Sequence, residues 1–284
     1  MTDVPKTMRP DVDLSTFCTA RMLPSGGRLW VAAPSGPQVG APVLLVHGAY
    51  HGAWCYALWM RRLLARGRAV AAVDWPGHGG LPQPAGFAAL GVADFARTVE
   101  EALDQMLTPP VAVGHSLGAL VLALAAEGRK LPAVVLLAPS PPGNMLGVTA
   151  VPLLPDGQPF GPPGADRFRD VYMGGAPDAG DWLPRLGPES PAALNDRYGL
   201  KINVTGGADR GLVVEAGRED PLRHPEGQDA AVAAFFGYDY RYLPEAPHCM
   251  MMHDPGDAAF ACLSDWLDSL DETETPHCGV LAER

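Results

Sequence analysis

A serine hydroxyl attacks a carbonyl only when a base takes its proton and nearby donors stabilise the charge that develops, so the serines worth notice are those whose surroundings supply both. Gly114-His115-Ser116-Leu117-Gly118 has that setting. The short apolar run Val111–Gly114 precedes it and the almost wholly apolar run Leu117–Glu127 follows it, which reads as strand, tight turn and helix. G-x-S-x-G in this context is the pattern of a nucleophile elbow. Glycines flank the turn because no side chain fits there, and the Ser116 hydroxyl is lifted to a helix N-terminus, whose positive end favours an oxyanion. The expected base is His248, in Ala246-Pro247-His248-Cys249. Asp220, in Gly217-Arg218-Glu219-Asp220-Pro221, is the expected acid that orients it, with Glu219 as the alternative, since only one carboxylate can hold the tautomer of the base. Three other histidines are set aside: His115 inside the elbow cannot reach its neighbour's hydroxyl, His253 sits on the approach to the last helix, and His224 follows Asp220 in a loop.

Those residues need a scaffold that brings the ends of several strands to one edge. Thr16–Leu23 and Arg28–Ala33 flank Ser25-Gly26-Gly27 as a hairpin at a sheet edge. Pro42–Val46, Ala69–Asp74, Val111–Gly114, Ala133–Leu137, Gly211–Ala216 and Asp239–Leu243 read as further strands, apolar without strict alternation. Between them lie helical stretches: Ala53–Ala65, a helix capped by Asp94 with Phe95, Val99, Leu103 and Met106 on one face, Leu117–Glu127, Gln228–Phe236 and Asp257–Leu270. Alternation of helices with strands buried on both faces predicts an α/β fold built on a mostly parallel sheet with helices on both faces. The alternation breaks after Pro139. The following Pro- and Gly-rich stretch, too long for a plain loop, predicts a small cap of short helices. The expected organisation is a flexible N-terminus (1–13), a core domain in two parts (14–140 and 211–270) interrupted by the cap insertion (141–210), and a flexible tail (271–284).

Composition narrows the partners. With 284 residues, 47% hydrophobic and 19% charged, the chain carries enough apolar mass for one large core. The net charge of −11, from 32 acidic against 21 basic residues, and the absence of a basic run argue against nucleic acid and against a membrane surface. Five scattered cysteines without a C-x-x-C pair suit a reduced setting. The polar, proline-bearing start lacks the pattern of a signal peptide, and the chain is expected to be cytoplasmic. The partner expected is a small-molecule substrate; the sequence carries no signal of oligomeric state.

Val46-His47-Gly48, Asp74-Trp75-Pro76-Gly77-His78-Gly79, the Ser116 elbow, Gly217-Arg218-Glu219-Asp220 and Pro247-His248, in that order and spread over about residues 23 to 270, resemble the α/β-hydrolase superfamily in its branch with a small cap after the sixth strand. The resemblance implies the chain order nucleophile, acid, base. Some members take the acid from the end of the preceding strand, but Ala138-Pro139-Ser140 holds no carboxylate there. It also implies an oxyanion hole formed by the Leu117 amide and one from the loop His47-Gly48-Ala49-Tyr50, with Ala49 the expected donor and Tyr50 next. Tyr50 and His51 would wall the substrate pocket, joined by Phe168, Tyr172 and Trp182 from the cap. No cofactor is implied. A metal is not expected either, because His47 and His51, although four residues apart, lie on no helix and have no third ligand nearby.

The stretch Val46–Trp54 is similar to the plant methylesterase and hydroxynitrile lyase group. Those lyases carry a lysine after the catalytic histidine where this chain has Cys249, so cyanohydrin cleavage is not expected. Dehalogenases and epoxide hydrolases carry an aspartate where Ser116 stands. The resemblance therefore implies hydrolysis of a small or medium carboxylic ester, thioester or lactone through an acyl-enzyme. Two alternatives share the same residues: a biosynthetic acyltransferase, cyclase or lyase, and a ligand-binding protein that retains the triad.

Overall fold

The strands Val43–Val46 (β3), Val70–Asp74 (β4), Val111–His115 (β5) and Val134–Leu137 (β6) are buried along their whole length, as their unbroken apolar runs require. They sit inside an eight-stranded sheet with Thr19–Met22 (β1), Arg28–Ala32 (β2), Gly211–Arg218 (β7) and Asp239–Pro247 (β8), in the order β1-β2-β4-β3-β5-β6-β7-β8. The β1–β2 and β2–β4 pairs are antiparallel and every other pair is parallel. This computed structural model describes residues 12–274. Helices Ala57–Ala65 (α1), Val92–Asp104 (α2), Leu117–Ala125 (α3), Gln228–Phe236 (α6) and Ala258–Glu274 (α7) cover the sheet. Between β6 and β7 the chain makes a one-turn helix, Ala165–Arg167 (α4), a π-helical turn, Phe168–Tyr172, two short 3-10 turns and the helix Pro191–Tyr198 (α5).

Alternate residues of each central strand feed two cores, one per face. Val43, Leu45, Val113 and Val135 join Trp59, Met60, Leu263 and Leu267 on one side. Leu44, Val46, Ala112 and Leu136 join Phe95, Val99, Leu120 and Val121 on the other, where Trp75 stacks on Phe95 with ring centroids 4.6 Å apart.

Several boundaries differ from those expected, each for a local reason. The helix assigned to Ala53–Ala65 opens as a 3-10 turn, Ala53–Tyr56, before α1 begins. Asp94 is not the first cap of α2 but its third residue, where its carboxylate accepts the Gly91 amide at 2.9 Å. Met106 falls beyond the end of that helix. Strands β7 and β8 run further than their apolar residues suggest, because β8 bulges between Leu243 and Pro247 against Gly217, which brings Arg218 opposite Pro247. The expected flexible termini lie mostly outside the described residues. Val12 is buried, however, Asp13 caps the 3-10 turn Leu14–Thr16, and α7 continues through 271–274, with Asp271 accepting a bond from Arg68.

Candidate active site

Ser116 joins β5 to α3 with φ 53° and ψ −121°, a backbone geometry that a non-glycine residue adopts only when its surroundings enforce it. The enforcing contacts are visible at the flanking glycines. A Cβ on Gly118 would collide with the His47 carbonyl, and one on Gly114 would lie 2.7 Å from the Gly118 carbonyl. The turn therefore exists only with glycine at both positions. Ser116 lines a cavity together with His248, Glu219, Ala49 and Leu117.

His248 follows β8 directly. Its Nδ1–H donates to Glu219, with both carboxylate oxygens at 2.9 Å, which leaves Nε2 as the nitrogen without a protein hydrogen bond among the described residues. Asp220, the carboxylate expected to orient His248, is elsewhere: it accepts Arg167 at 2.6 Å, the Leu222 amide at 3.1 Å and Arg223 at 3.4 Å. Strand register is the cause. The pairing of Arg218 with Pro247 sets the next residue of each strand side by side, Glu219 against His248, while Asp220 turns away to open the turn that accepts the Arg223 and His224 amides.

Burial dominates the electrostatics here. It raises the Glu219 carboxyl above its ordinary range and holds the His248 imidazole well below its own, because it penalises both the isolated carboxylate and the imidazolium. His224 offsets the first effect. Burial opposes its charge, yet Glu219 and Asp229 together hold it above the ordinary histidine range, and its ring centroid lies 5.0 Å from that of His248. Asp229, itself buried, faces His224 at 3.7 Å. The result is a buried series Asp229, His224, Glu219, His248 of alternating character. Glu219, His224 and His248 also place ligand atoms within 4.8 Å of one another, close enough to share a metal ion.

The loop after β3 supplies the remaining polar groups. The Tyr50 amide donates to Glu189 at 3.1 Å and its carbonyl accepts the Gly187 amide at 2.9 Å, which fixes Tyr50 at φ 69°. The Ala49 amide has no such bond among the described residues and stays available at the cavity. His51 donates from Nδ1 to the Ala49 carbonyl at 2.6 Å, and burial pushes it down to about 4, so it is neutral. Cys249, beside it at 3.6 Å, has its thiol pushed far up by burial and is no nucleophile. Of the cap aromatics, Tyr172 lines the cavity. Phe168 and Trp182 do not: both are fully buried, Phe168 between Tyr172 and His51, and Trp182 stacked on Trp54 at 5.9 Å.

Two further residues, His115 and Glu189, hold the site together. His115 donates from Nε2 to the His248 carbonyl at 2.9 Å, tying the elbow to the loop that carries His248. Glu189, wholly buried, also accepts His78 Nε2 at 3.0 Å and the Ser190 amide at 2.8 Å, so it binds the β6–β7 excursion to the loop at Ala49. His115 was legible as a member of the elbow, although its partner was not. No periodicity or motif marks Glu189 in its Pro- and Gly-rich stretch.

The sequence profile of a family described as "Alpha/beta hydrolase family" matches residues 43–261. Among curated proteins, Probable esterase PIR7A of rice (Oryza sativa subsp. indica) is 35% identical over 116 residues, 39% of this chain and 44% of that protein. Methylesterase 3 of Arabidopsis thaliana is 38% identical over 100 residues, 30% of this chain and 33% of that protein. The chain thus spans less than half the length of these curated relatives in the matched regions. Among solved structures, the Arabidopsis methylesterase protein MES16 superposes with a TM-score of 0.64 at 22% identity, covering 81% of this chain and 99% of that one. A thermophilic esterase from Thermogutta terrifontis, malate bound, superposes at 0.65 with 15% identity, covering 89% and 99%.

Proposed function

Because the chain belongs to the alpha/beta hydrolase family, we propose that it is a serine hydrolase that cleaves carboxylic esters through an acyl-enzyme at Ser116. The observation that carries this reading is the cavity that collects Ser116, a His248–Glu219 dyad and the free Ala49 amide beside the helix N-terminus at Leu117. Ser116 Oγ attacks the ester carbonyl as its proton passes to His248 Nε2, and the Ala49 and Leu117 amides hold the oxyanion. Glu219, rather than Asp220, stabilises the imidazolium. Collapse expels the alcohol, which takes the proton from Nε2. Water activated by His248 then releases the acid. Thioesters and lactones react by the same steps.

The names of the esterase and methylesterase relatives support the ester as the substrate bond. Cys18, Cys55, Cys249 and Cys262 are free thiols, which supports a reducing compartment, the cytoplasm. Among the described residues no helix is long and apolar enough to cross a membrane. The test is labelling with a fluorophosphonate probe: Ser116 is expected to be the one serine modified rapidly, and labelling that survives Ser116→Ala would falsify the assignment.

A further inference from the structure

The wall of the cavity contributed by α5 and the turn after β7 carries two guanidiniums, Arg197 and Arg223, that the acyl-transfer steps do not use. Arg197 is 4% exposed. Its one hydrogen bond is to the Arg223 carbonyl at 2.6 Å, and no carboxylate lies within 4 Å of it among the described residues. Arginine keeps its charge in proteins, and a buried charge without a partner is costly. Arg223 lies beside it, both guanidiniums sitting 5.5 to 5.8 Å from the Tyr198 ring centroid. The one carboxylate within 4 Å of Arg223 among the described residues, Asp220 at 3.4 Å, is already held more closely by Arg167 at 2.6 Å, and Arg223 Nε is buried without a partner. Tyr50, Tyr172 and Tyr198 complete this wall. Their hydroxyls make no protein hydrogen bond among the described residues.

Two under-neutralised guanidiniums and three phenol donors around one small cavity form a receptor for an anion. We infer that the substrate carries a second, anionic group, a carboxylate or a phosphate, that Arg223 and Arg197 hold while Ser116 attacks the ester bond. The inference rests on the esterase reading of the same cavity. A half-ester of a dicarboxylic acid has this chemistry, with an anion a few bonds from the scissile carbonyl, and so has an ester bearing a phosphate.

Calorimetry on Ser116→Ala measures binding of glutarate, of glycerol phosphate and of neutral glutaramide, and kinetics on the wild type compare mono-p-nitrophenyl glutarate with p-nitrophenyl valerate. A charge-assisted hydrogen bond is worth enough to change affinity about tenfold or more. At least one anion is expected to bind more tightly than glutaramide, and the stronger of the two identifies carboxylate or phosphate. That binding is expected to weaken about tenfold in Arg223→Gln and to vanish in Arg223→Glu, with the kinetic preference for the anionic ester falling in parallel. Arg223 is the decisive position because it is partly exposed and its replacement spares the core; Arg197→Gln is read only if its thermal melt matches the wild type. The inference is overturned if neither anion binds, or if binding ignores both charge changes at Arg223. Fluorophosphonate labelling separates the two readings: lost labelling with anion binding intact defeats the esterase, whereas intact labelling with no dependence on Arg223 defeats the anion site.

Discussion

Replacing Glu219 by Gln removes one charge and leaves the shape of the site almost unchanged, so it isolates what the carboxylate does. In the ground state His248 is neutral, and the bond to Glu219 at 2.9 Å fixes its tautomer. As Ser116 attacks, the ring becomes a cation, and a unit charge then faces the carboxylate at about 4 Å. At an effective dielectric of about 20 this interaction is worth about 4 kcal/mol, roughly three decades of rate. An amide that presents its NH2 to Nδ1 also selects the wrong tautomer, which brings the loss to about 10^4-fold. Asp220→Asn, by contrast, weakens an ion pair with Arg167, whose side chain is 46% exposed, and pairs of that kind contribute about 0–1 kcal/mol. The assay is kcat/KM on p-nitrophenyl acetate, with melting curves showing that both variants fold. Glu219→Gln is expected to lose three to four decades and Asp220→Asn less than about tenfold. The reverse ranking, or a Glu219→Gln enzyme that keeps a tenth of the activity, refutes the argument from register.

His224→Gln removes a cation that adds to burial in holding His248 below its ordinary range, so the acid limb of the kcat/KM profile moves to higher pH and the variant loses more activity at pH 6 than at pH 8; a profile with an unmoved limb contradicts the series. Glu189→Gln leaves His78 buried without its partner, at a cost of about 3–5 kcal/mol by urea unfolding. Burial opposes the charge on His78, but Glu189 outweighs it and holds the imidazole above its ordinary range. That contribution is therefore complete below about pH 6.5 and is lost as pH rises through the folded value, so the gap between wild type and variant narrows toward alkaline pH. Trp182→Ala is expected to cost about 3–5 kcal/mol in stability with relative rates across an ester panel unchanged, whereas Tyr172→Ala changes those relative rates; equal behaviour of the two argues against the division between packing and cavity wall.

What the sequence determined by itself follows from interactions between near neighbours. The elbow is legible because its steric demand falls on Gly114 and Gly118, two residues either side of Ser116, and because the buried strands announce themselves by unbroken apolar runs such as Val43–Val46. Helices α2 and α3 are legible from period and composition, although their ends shift by two or three residues where capping geometry decides. The tertiary structure alone decided which carboxylate meets His248. Glu219 and Asp220 are adjacent and chemically alike, and the choice turns on a one-residue matter of register, Arg218 against Pro247, between strands whose pairing no local pattern encodes. The same holds for the excursion between β6 and β7, where Phe168 and Trp182 are buried as packing while Tyr172 and Arg197 reach the cavity. Glu189 shows the reason in its plainest form: a buried charge is tolerated only where His78 and the Tyr50 amide, more than one hundred residues away in sequence, meet it in space. Patterns of hydrophobicity record which residues leave water, but they do not record which polar partners meet once those residues have left it.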